Sequence, residues 1–234
     1  MERTAQLTFS PPRRLPADLD GATLAELNGR FETAAPVEVI RWAVETFGDS
    51  LCLSASMADA VLIDIATKVD PGIEVIFLDT QYHFPETLQT LERVWDRYKL
   101  NLRIMRPDLP LDDRWRTDVD SCCGARRVDQ LDRALEGRLA WMSGLRRSES
   151  ATRADARVVA FDRRGLVKIN PLATWSDLDV SGYIADHHVI VNPLVEQGYR
   201  SIGCWPCTRP VADGEGPRAG RWADLEKAEC GIHL

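Results

Sequence analysis

Short apolar strands alternate with longer helical segments in the first half of the chain, and this alternation restricts the fold more than any other feature. Strands are predicted over residues 50–54, 74–78 and 102–105, with a helix between each pair. Another helix, with apolar residues at helical spacing from Pro36, precedes the first strand. Strands joined by helices of this length form right-handed crossovers and a parallel sheet covered on both faces. The pattern therefore predicts an α/β fold with a Rossmann-like parallel sheet flanked by helices.

Polar turns follow the predicted strands at their carboxyl ends, where sheets of this kind bind ligands. The turn over residues 54–62 is rich in small residues, and a second turn covers residues 79–84. Small residues before a helix leave backbone N–H groups free for a phosphate or sulfate, although they also simply cap helices. A strand over residues 139–144 precedes a loop, residues 145–153, whose three arginines suit an anionic ligand or a solvated surface. Both interpretations stay open for each segment.

The remaining segments carry less regular structure. Residues 158–161 and 167–169 predict a hairpin, and residues 178–187 predict a helix. The chain is irregular from Asn192, where glycines and prolines are frequent. The N-terminal segment, residues 1–35, begins with a proline- and arginine-rich stretch without apolar periodicity and is predicted to be a mobile arm.

Composition excludes several classes of function. The 234 residues suit one large domain, and the net charge of -7 argues against a general nucleic-acid or membrane-surface binder. An anionic ligand would therefore need a local cluster of arginines. No apolar run is long enough to span a bilayer, and the N-terminus lacks the apolar core of a signal peptide, so we expect a cytoplasmic protein. In that reducing compartment the six cysteines favour metal binding or catalysis over disulfides.

Four of the six cysteines come as two pairs. Cys122 and Cys123 are adjacent, and Cys204 and Cys207 form a C-x-x-C motif. Adjacent residues of a strand face opposite sides, whereas at the start of a helix both thiols can reach a metal. Zinc sites usually take two C-x-x-C pairs, while the thiolates of a four-iron cluster bind separate irons, which suits adjacent cysteines. The pairs are therefore compatible with an iron-sulfur cluster, with zinc or a structural role as the alternatives, and the spacing alone leaves the three open.

Cys230 stands apart from these pairs, in the sequence Glu229-Cys230-Gly231-Ile232-His233 near the end of the chain. A thiol on a terminal segment beside a histidine can be partly ionised, and the thiolate is the reactive form. Cys230 is thus a candidate nucleophile, with an ordinary tail cysteine as the alternative. Cys52, within an apolar run, is predicted to be a core residue.

Six ordered motifs from about Pro36 to the end resemble those of the assimilatory adenylyl-sulfate reductases, the iron-sulfur branch of the phosphoadenylyl-sulfate reductase family. The motifs are Ser54 to Leu62; Leu78-Asp79-Thr80 with Tyr82-His83-Phe84-Pro85-Glu86-Thr87; Cys122-Cys123-Gly124-Ala125-Arg126-Arg127; Gly144-Leu145-Arg146-Arg147; Gly203-Cys204-Trp205-Pro206-Cys207-Thr208; and Glu229 to His233. Any one alone would be a weak signal, but together they make a specific match.

The resemblance implies a fold and a cofactor. The fold would be adenine nucleotide alpha hydrolase-like, of the PP-loop type, with a flexible C-terminal tail. Residues 36–210 would form the nucleotide- and cluster-binding domain and residues 211–234 the catalytic tail. A 4Fe-4S cluster would be held by Cys122, Cys123, Cys204 and Cys207, organising the site without passing electrons in the net reaction.

The resemblance also implies a reaction. Cys230 would attack the sulfur of bound adenosine 5'-phosphosulfate and displace AMP, leaving an S-sulfocysteine from which thioredoxin releases sulfite in sulfate assimilation. His233 would contact the sulfonate or support the thiolate. Because the chain stops at Leu234 without a thioredoxin-like domain, we expect a separate thioredoxin. Relatives are often dimers or tetramers, so a homo-oligomer is expected.

The substrate-binding residues follow from the same likeness. Ser54 and Ser56 would belong to the nucleotide loop, Leu78 to the adenine pocket, and Gly144 would contact the nucleotide through its backbone. Arg218 and Arg221 stand where the family places arginines on the phosphosulfate, and neutralising the charge that develops on AMP lowers the barrier. The further candidates from the basic segments are Arg127, Arg146 and Arg153.

Arg127 departs from the family pattern, in which lysine is usual near both cluster and substrate. Arginine keeps the positive charge but not the compact ammonium, which puts its role as a link between cluster and sulfate in question.

Two rival functions remain at the level of the sequence. One is a reductase that prefers the 3'-phosphorylated substrate or accepts both, although the paired cysteines favour the unphosphorylated one. The other is an iron-sulfur redox sensor, which would not need the nucleophile Cys230.

Overall fold

A six-stranded sheet forms the centre of the computed structural model, which describes residues 15–16, 19–223, 225 and 227–233. The strand order is β3-β2-β1-β4-β6-β5; β5 pairs antiparallel with β6 at one edge, and all other pairs are parallel. Leu53 of the central strand lies opposite Val75 on one side and Met142 on the other. The strands are β1 Leu51–Ala55, β2 Glu74–Leu78, β3 Asn101–Met105, β4 Ala140–Ser143, β5 Val159–Phe161 and β6 Val167–Ile169. The predicted parallel α/β sheet is confirmed.

Helices cover both faces of this sheet. Proline opens α2 and α4, where its missing N–H costs no hydrogen bond, and the Ser176 hydroxyl caps α8 by accepting from the N–H of Asp179. The helices are α1 Gly21–Phe31, α2 Pro36–Phe47, α3 Val61–Val69, α4 Pro85–Tyr98, α5 Arg114–Thr117, α6 Val119–Cys123, α7 Asp129–Leu135 and α8 Asp177–His187. Within the described residues, no helix combines the length and apolar character needed to cross a bilayer.

The alternation of side chains along β1 divides the core in two. Leu51 and Leu53 face a large apolar cluster that includes α2 and α3. Cys52 faces a smaller cluster, in which Leu131 of α7 packs with Trp222, Cys230 and Ile232 of the C-terminal segment. Cys52 is fully buried, as predicted, and burial raises the pKa of its thiol to about 12. The C-terminal segment is therefore docked as part of the second core.

Helix α1 corrects the prediction of a mobile arm over residues 1–35. Leu24, Leu27 and Phe31 of this helix are buried in the large cluster. The Asn28 side chain donates to the Val159 carbonyl oxygen at 2.6 Å and accepts from the Val159 N–H at 3.1 Å, which ties α1 to edge strand β5. The prediction was wrong here because it extended the proline-rich beginning over a capped amphipathic helix. Residues 1–14 and 17–18 lie outside the described residues.

Candidate functional site

A cavity of about 360 Å³ opens at the carboxyl ends of β1, β2 and β4, and this volume is typical of a site for a small organic ligand. The predicted turns after these strands meet there, together with the C-terminal segment. All the residues that the sequence analysis assigned to substrate or catalysis line this cavity: Ser54, Ser56, Leu78, Arg127, Gly144, Arg146, Arg153, Arg218, Arg221, Cys230 and His233.

Backbone groups shape one side of the cavity. Met57, in the turn after β1, is buried with a φ of 60°, a left-handed conformation that is uncommon for a residue with a side chain. The Leu78 carbonyl oxygen accepts a hydrogen bond of 2.9 Å from Nε2 of His83, which fixes the turn after β2. A Cβ atom at Gly144 would meet only Leu62, at 3.9 Å, so the backbone there faces open space. This side can accept a flat ligand close to the main chain.

Three of the five predicted arginines are engaged by carboxylates. Arg146 pairs with Asp177 at 2.6 Å, and both Arg153 and Arg218 pair with Glu229 in the C-terminal segment. These pairs hold the guanidinium groups around the cavity, where an anion would compete with the carboxylates for them.

Arg127 and Arg221 differ from these three. Neither makes an ion pair with a carboxylate within the described part of the chain, and the Nε atom of each is buried without a hydrogen-bond partner there. The guanidinium of Arg221 lies 4.3 Å from the centre of the Trp222 ring. These two arginines are thus the positive charges best placed to meet an anionic ligand in the cavity.

Cys230 is buried, with an exposed fraction of 7 %, beside these arginines. Burial favours the neutral thiol, but Arg127, the backbone N–H of Ile232 and Arg221 outweigh it, so the pKa of Cys230 falls below its usual value. A cysteine in this setting has a larger thiolate fraction at neutral pH than a free one, as a nucleophile requires.

His233 does not supply this charge. Its ring stacks on Trp141 with an interplanar angle of 9°, and burial together with Lys168 and Arg153 holds its pKa well below its usual value. The imidazole is therefore neutral, and its Nδ1 atom is buried without a partner among the described residues. The lowered pKa of Cys230 comes from arginines and a backbone N–H, while Nδ1 of His233 is available to a ligand.

The sequence analysis missed Lys168 of β6, which lies beneath the C-terminal segment. Its side chain is buried, its Nζ donates to the His233 carbonyl oxygen at 3.4 Å, and it lies 5.2 Å from the centre of the Trp141 ring. Burial lowers the pKa of Lys168 to about 8. An isolated lysine in a strand gives no sequence signal of such a role.

Replacement of Lys168 by methionine should stabilise the protein below pH 8. Below pH 8 the Lys168 ammonium is charged in the folded protein, and burying this charge destabilises the fold. Between about pH 8 and 10.5, the ordinary pKa of lysine, Lys168 is neutral in the folded protein but still charged in the unfolded chain, so the destabilisation declines. We expect a gain of at most about 3 kcal/mol at pH 7 that shrinks as the pH rises towards 10. Tm measured anaerobically across this range, with exposed Lys99→Met as control, tests it; an equal change of Tm at every pH would contradict it.

The four paired cysteines line a second, smaller cavity. Cys122 and Cys123 end α6, while Cys204 precedes the 3₁₀ turn Trp205–Cys207 and Cys207 ends it. Burial raises the pKa of Cys123 to about 12 and that of Cys207 to about 11, because no positive charge fully offsets it. All six cysteines of the chain are free thiols. The two pairs, distant in sequence, thus meet in the fold.

Four thiols make up the donor set of this second cavity. Within the described residues, no three cysteine, histidine or acidic side chains are grouped so as to hold one metal ion. Four cysteines around one cavity would suit a four-iron cluster, in which each thiolate binds its own iron. Arg127, Arg221 and Trp222 line both cavities and form the wall between them.

A π-helical segment, Gly124–Val128, follows the first cysteine pair and turns Arg126 inwards. Arg126 is almost completely buried; it contacts the Gln81 side chain and donates to the Asp112 carboxylate at 3.1 Å. Arg126 therefore joins the turn after β2 to the cysteine pair, a role hidden by its place next to Arg127 in the motif.

Other titratable residues of the cavity were also missed. Most of them lie inside or beside the motifs, but their residue types alone indicated no role. They are Asp59, His83, Glu149, Asp177, Arg200 and Glu229.

Residues 50–210 match the family model of the phosphoadenosine phosphosulfate reductase domain. An adenosine 5'-phosphosulfate reductase of Streptomyces coelicolor is 48% identical over 90% of this chain and 93% of its own length. The enzyme of the same name from Mycobacterium tuberculosis is 44% identical over 98% of each chain.

Solved structures of other proteins are also similar to this chain. The phosphoadenylyl-sulfate reductase of Candida auris, solved as a phosphate complex, superposes with a TM-score of 0.74 at 29% identity, covering 82% of this chain and 98% of its own. The FMN adenylyltransferase of Candida glabrata has a TM-score of 0.59 at 11% identity, covering 94% of this chain and 81% of its own, and shares the fold alone. The predicted adenine nucleotide alpha hydrolase-like fold is confirmed.

Proposed function

Because the chain belongs to the phosphoadenosine phosphosulfate reductase family, we propose that it reduces adenosine 5'-phosphosulfate to sulfite and AMP in sulfate assimilation. The observation that carries this proposal is the position of Cys230, whose thiol with lowered pKa shares a cavity with the nucleotide turn and the arginines. The relatives named adenosine 5'-phosphosulfate reductase support this choice of substrate.

In the first step, the Cys230 thiolate attacks the sulfur of the phosphosulfate. An S–S bond forms while the bond from sulfur to the phosphate oxygen breaks, and AMP leaves with the electron pair of that bond. The product on the protein is an S-sulfocysteine. Arg127 and Arg221, which face Cys230 and have no carboxylate partner among the described residues, would stabilise the charge that develops on the departing phosphate.

In the second step, a thiolate of reduced thioredoxin attacks the Cys230 sulfur and sulfite leaves with the electron pair. The second thiol of thioredoxin then resolves the mixed disulfide, so the dithiol supplies both electrons. The proposal puts the protein in the cytoplasm, where thioredoxin is kept reduced. Assembly into a homo-oligomer stays a prediction, which light scattering can test.

Cys122, Cys123, Cys204 and Cys207 would hold a 4Fe-4S cluster next to Arg127 and Arg221. When bound, such a cluster would shape the electrostatics of the wall between the cavities, and Arg127 would mediate this effect. Its presence is tested by iron and sulfide analysis of anaerobically purified protein. Cys204→Ala should lose both, and the core variant Cys52→Ala should keep them; zinc in place of iron would overturn this part of the proposal.

Sulfite release with reduced thioredoxin tests the activity, with adenosine 5'-phosphosulfate compared with its 3'-phosphorylated form. A strong preference for the unphosphorylated substrate supports the proposal. Equal use of both would assign a dual-substrate reductase. No sulfite from either, with iron bound, would contradict the enzyme and favour the redox sensor.

Replacement of Gly203 by alanine should impair the reaction without unfolding the protein. The new Cβ would lie 2.3 Å from Cζ of Arg221, so the mobile end of that side chain must leave its place. We expect kcat/KM to fall by about 10-fold or more, with a stability change below about 1 kcal/mol. Kinetics and Tm check both parts. Gly216→Ala, where a Cβ meets open space, is the control and should match the unaltered protein.

A further inference from the structure

Glu229 directly precedes the nucleophile, and its carboxylate points back into the cavity. Oε1 accepts from Arg153 Nε at 2.7 Å, and Oε2 accepts from Arg153 Nη2 at 2.8 Å. Oε2 also accepts from Arg218 Nη2 at 3.2 Å, and Thr152 donates to Oε1 at 3.3 Å. Arg153 and Thr152 thus hold the carboxylate from outside the tail, and Arg218 holds it from an earlier part of the tail.

The arginine partners are themselves held in place. Arg153 donates to Glu149 at 2.5 Å, which orients its guanidinium group, and Arg218 also donates to the Ala228 carbonyl oxygen at 2.9 Å. The side chains of Arg153 and Glu229 are only 9 % and 10 % exposed. A bidentate pair that is shielded from water is stronger and more directional than a surface ion pair. Residues 228–229 are therefore bound from two sides of the cavity.

This contact lies one residue from Cys230. Glu229 and Cys230 are joined by one peptide bond, so a fixed Glu229 limits where the thiol can lie relative to Arg127 and Arg221. Arg153 and Arg218 are also among the arginines proposed to meet the phosphosulfate. The carboxylate of Glu229 therefore occupies groups that a bound anion would use.

We propose that Glu229 is a positioning residue, which clamps the end of the tail to Arg153 and Arg218 so that Cys230 is aimed at the substrate. This inference rests on the proposed function, because it takes Cys230 as the nucleophile. The clamp has two effects of opposite sign: it speeds the attack by holding the thiol in place, and it weakens anion binding by competing for the arginines.

Glu229→Gln tests both effects, because glutamine keeps the size and loses the charge. We expect single-turnover formation of the S-sulfocysteine to slow by about 10-fold or more, since the nucleophile is no longer held in position. AMP should bind several-fold more tightly, because Arg153 and Arg218 lose their competitor. Trypsin should cleave after Lys227 faster in the anaerobic holoprotein, because the tail leaves its site more often.

The opposite changes in rate and AMP affinity separate the clamp from a general loss of structure, which would weaken both. Glu215→Gln removes a comparable carboxylate, paired with Arg209 outside the cavity, and should change none of the three measurements. Glu229→Asp keeps the charge on a shorter side chain, so its single-turnover rate, AMP affinity and rate of tryptic cleavage should lie between those of Glu229→Gln and the unaltered protein. If Glu229→Gln fails to fold, Glu229→Asp takes its place in the test.

The outcomes distinguish the clamp from the proposed function. Normal AMP affinity and normal tryptic cleavage in Glu229→Gln would overturn the clamp, even if the unaltered protein makes sulfite. Failure of the unaltered protein to make sulfite would instead overturn the proposed function. In a protein that makes sulfite, faster cleavage with tighter AMP binding and a slower single turnover would support the clamp.

Discussion

Replacement of Cys230 by serine is expected to abolish sulfite formation and to leave the proposed iron-sulfur cluster in place. The hydroxyl that replaces the thiol stays protonated at neutral pH, and the Sγ atom that would accept the sulfonate is gone. Loss of a sole nucleophile commonly costs about 10⁴-fold or more in rate. Since Cys230 is not among the four paired cysteines, the iron content should match that of the unaltered protein.

The measurement is sulfite release in a single turnover with adenosine 5'-phosphosulfate, under anaerobic conditions with reduced thioredoxin. Mass spectrometry of the unaltered protein without thioredoxin should show one sulfonate on the peptide that contains Cys230. Cys52→Ser, which alters a buried cysteine that does not line the cavity, is the matched control and should keep its activity. Undiminished turnover by Cys230→Ser would mean that another group attacks the substrate.

Arg127→Met should cause the second largest loss, about 10²-fold in kcat/KM at pH 7. Arg127 is the first of the groups that lower the pKa of Cys230 against the effect of burial. Without it this pKa rises, the thiolate fraction at neutral pH falls, and the developing charge on AMP loses a partner. The rate should therefore recover in part as the pH increases.

The pH profile of kcat/KM checks this explanation. The limb on which activity rises with pH reports ionisation of Cys230, and it should shift to higher pH in Arg127→Met. Arg127→Lys keeps the positive charge and introduces the residue that is usual in the family, so its kcat/KM should stay within a few-fold of that of the unaltered protein. A loss in Arg127→Met without any shift of the profile would limit Arg127 to substrate binding.

Local patterns predicted the sheet and most of the surrounding helices. The strand over residues 74–78 has the predicted bounds, and α4 is the helix predicted between it and the next strand, because an apolar run and an N-terminal proline determine them locally. Helix α1 was missed, since its docking depends on Asn28 reaching Val159, far along the chain. Contacts of that kind leave no trace in a short window of sequence.

The residues of the site could be named from the motifs, but their electrostatics could not. Arg127 and Arg153 look alike in sequence, yet in the fold one has no carboxylate partner among the described residues and the other is bound by Glu149 and Glu229. Burial and neighbouring positive charges lower the pKa of His233, so its predicted contact with the sulfonate or the thiolate would be made by a neutral ring. Which charges are paired and which are free depends on tertiary packing.

The docked tail also bears on oxidative damage. The thiolate that attacks a sulfonate is the same form that peroxide converts to sulfenic acid. With the tail docked, Cys230 is shielded from solvent and Ile232 packs in the second core. Exposing the Ile232 side chain alone when the tail undocks would cost about 2 kcal/mol. At most a few per cent of the molecules then expose the thiol at any moment. We expect peroxide to modify Cys230 many-fold more slowly in the folded protein than in a peptide of the same tail sequence, as dimedone labelling would measure. A reactive sulfur can thus persist between substrates because its reactivity is confined to the interior of the cavity.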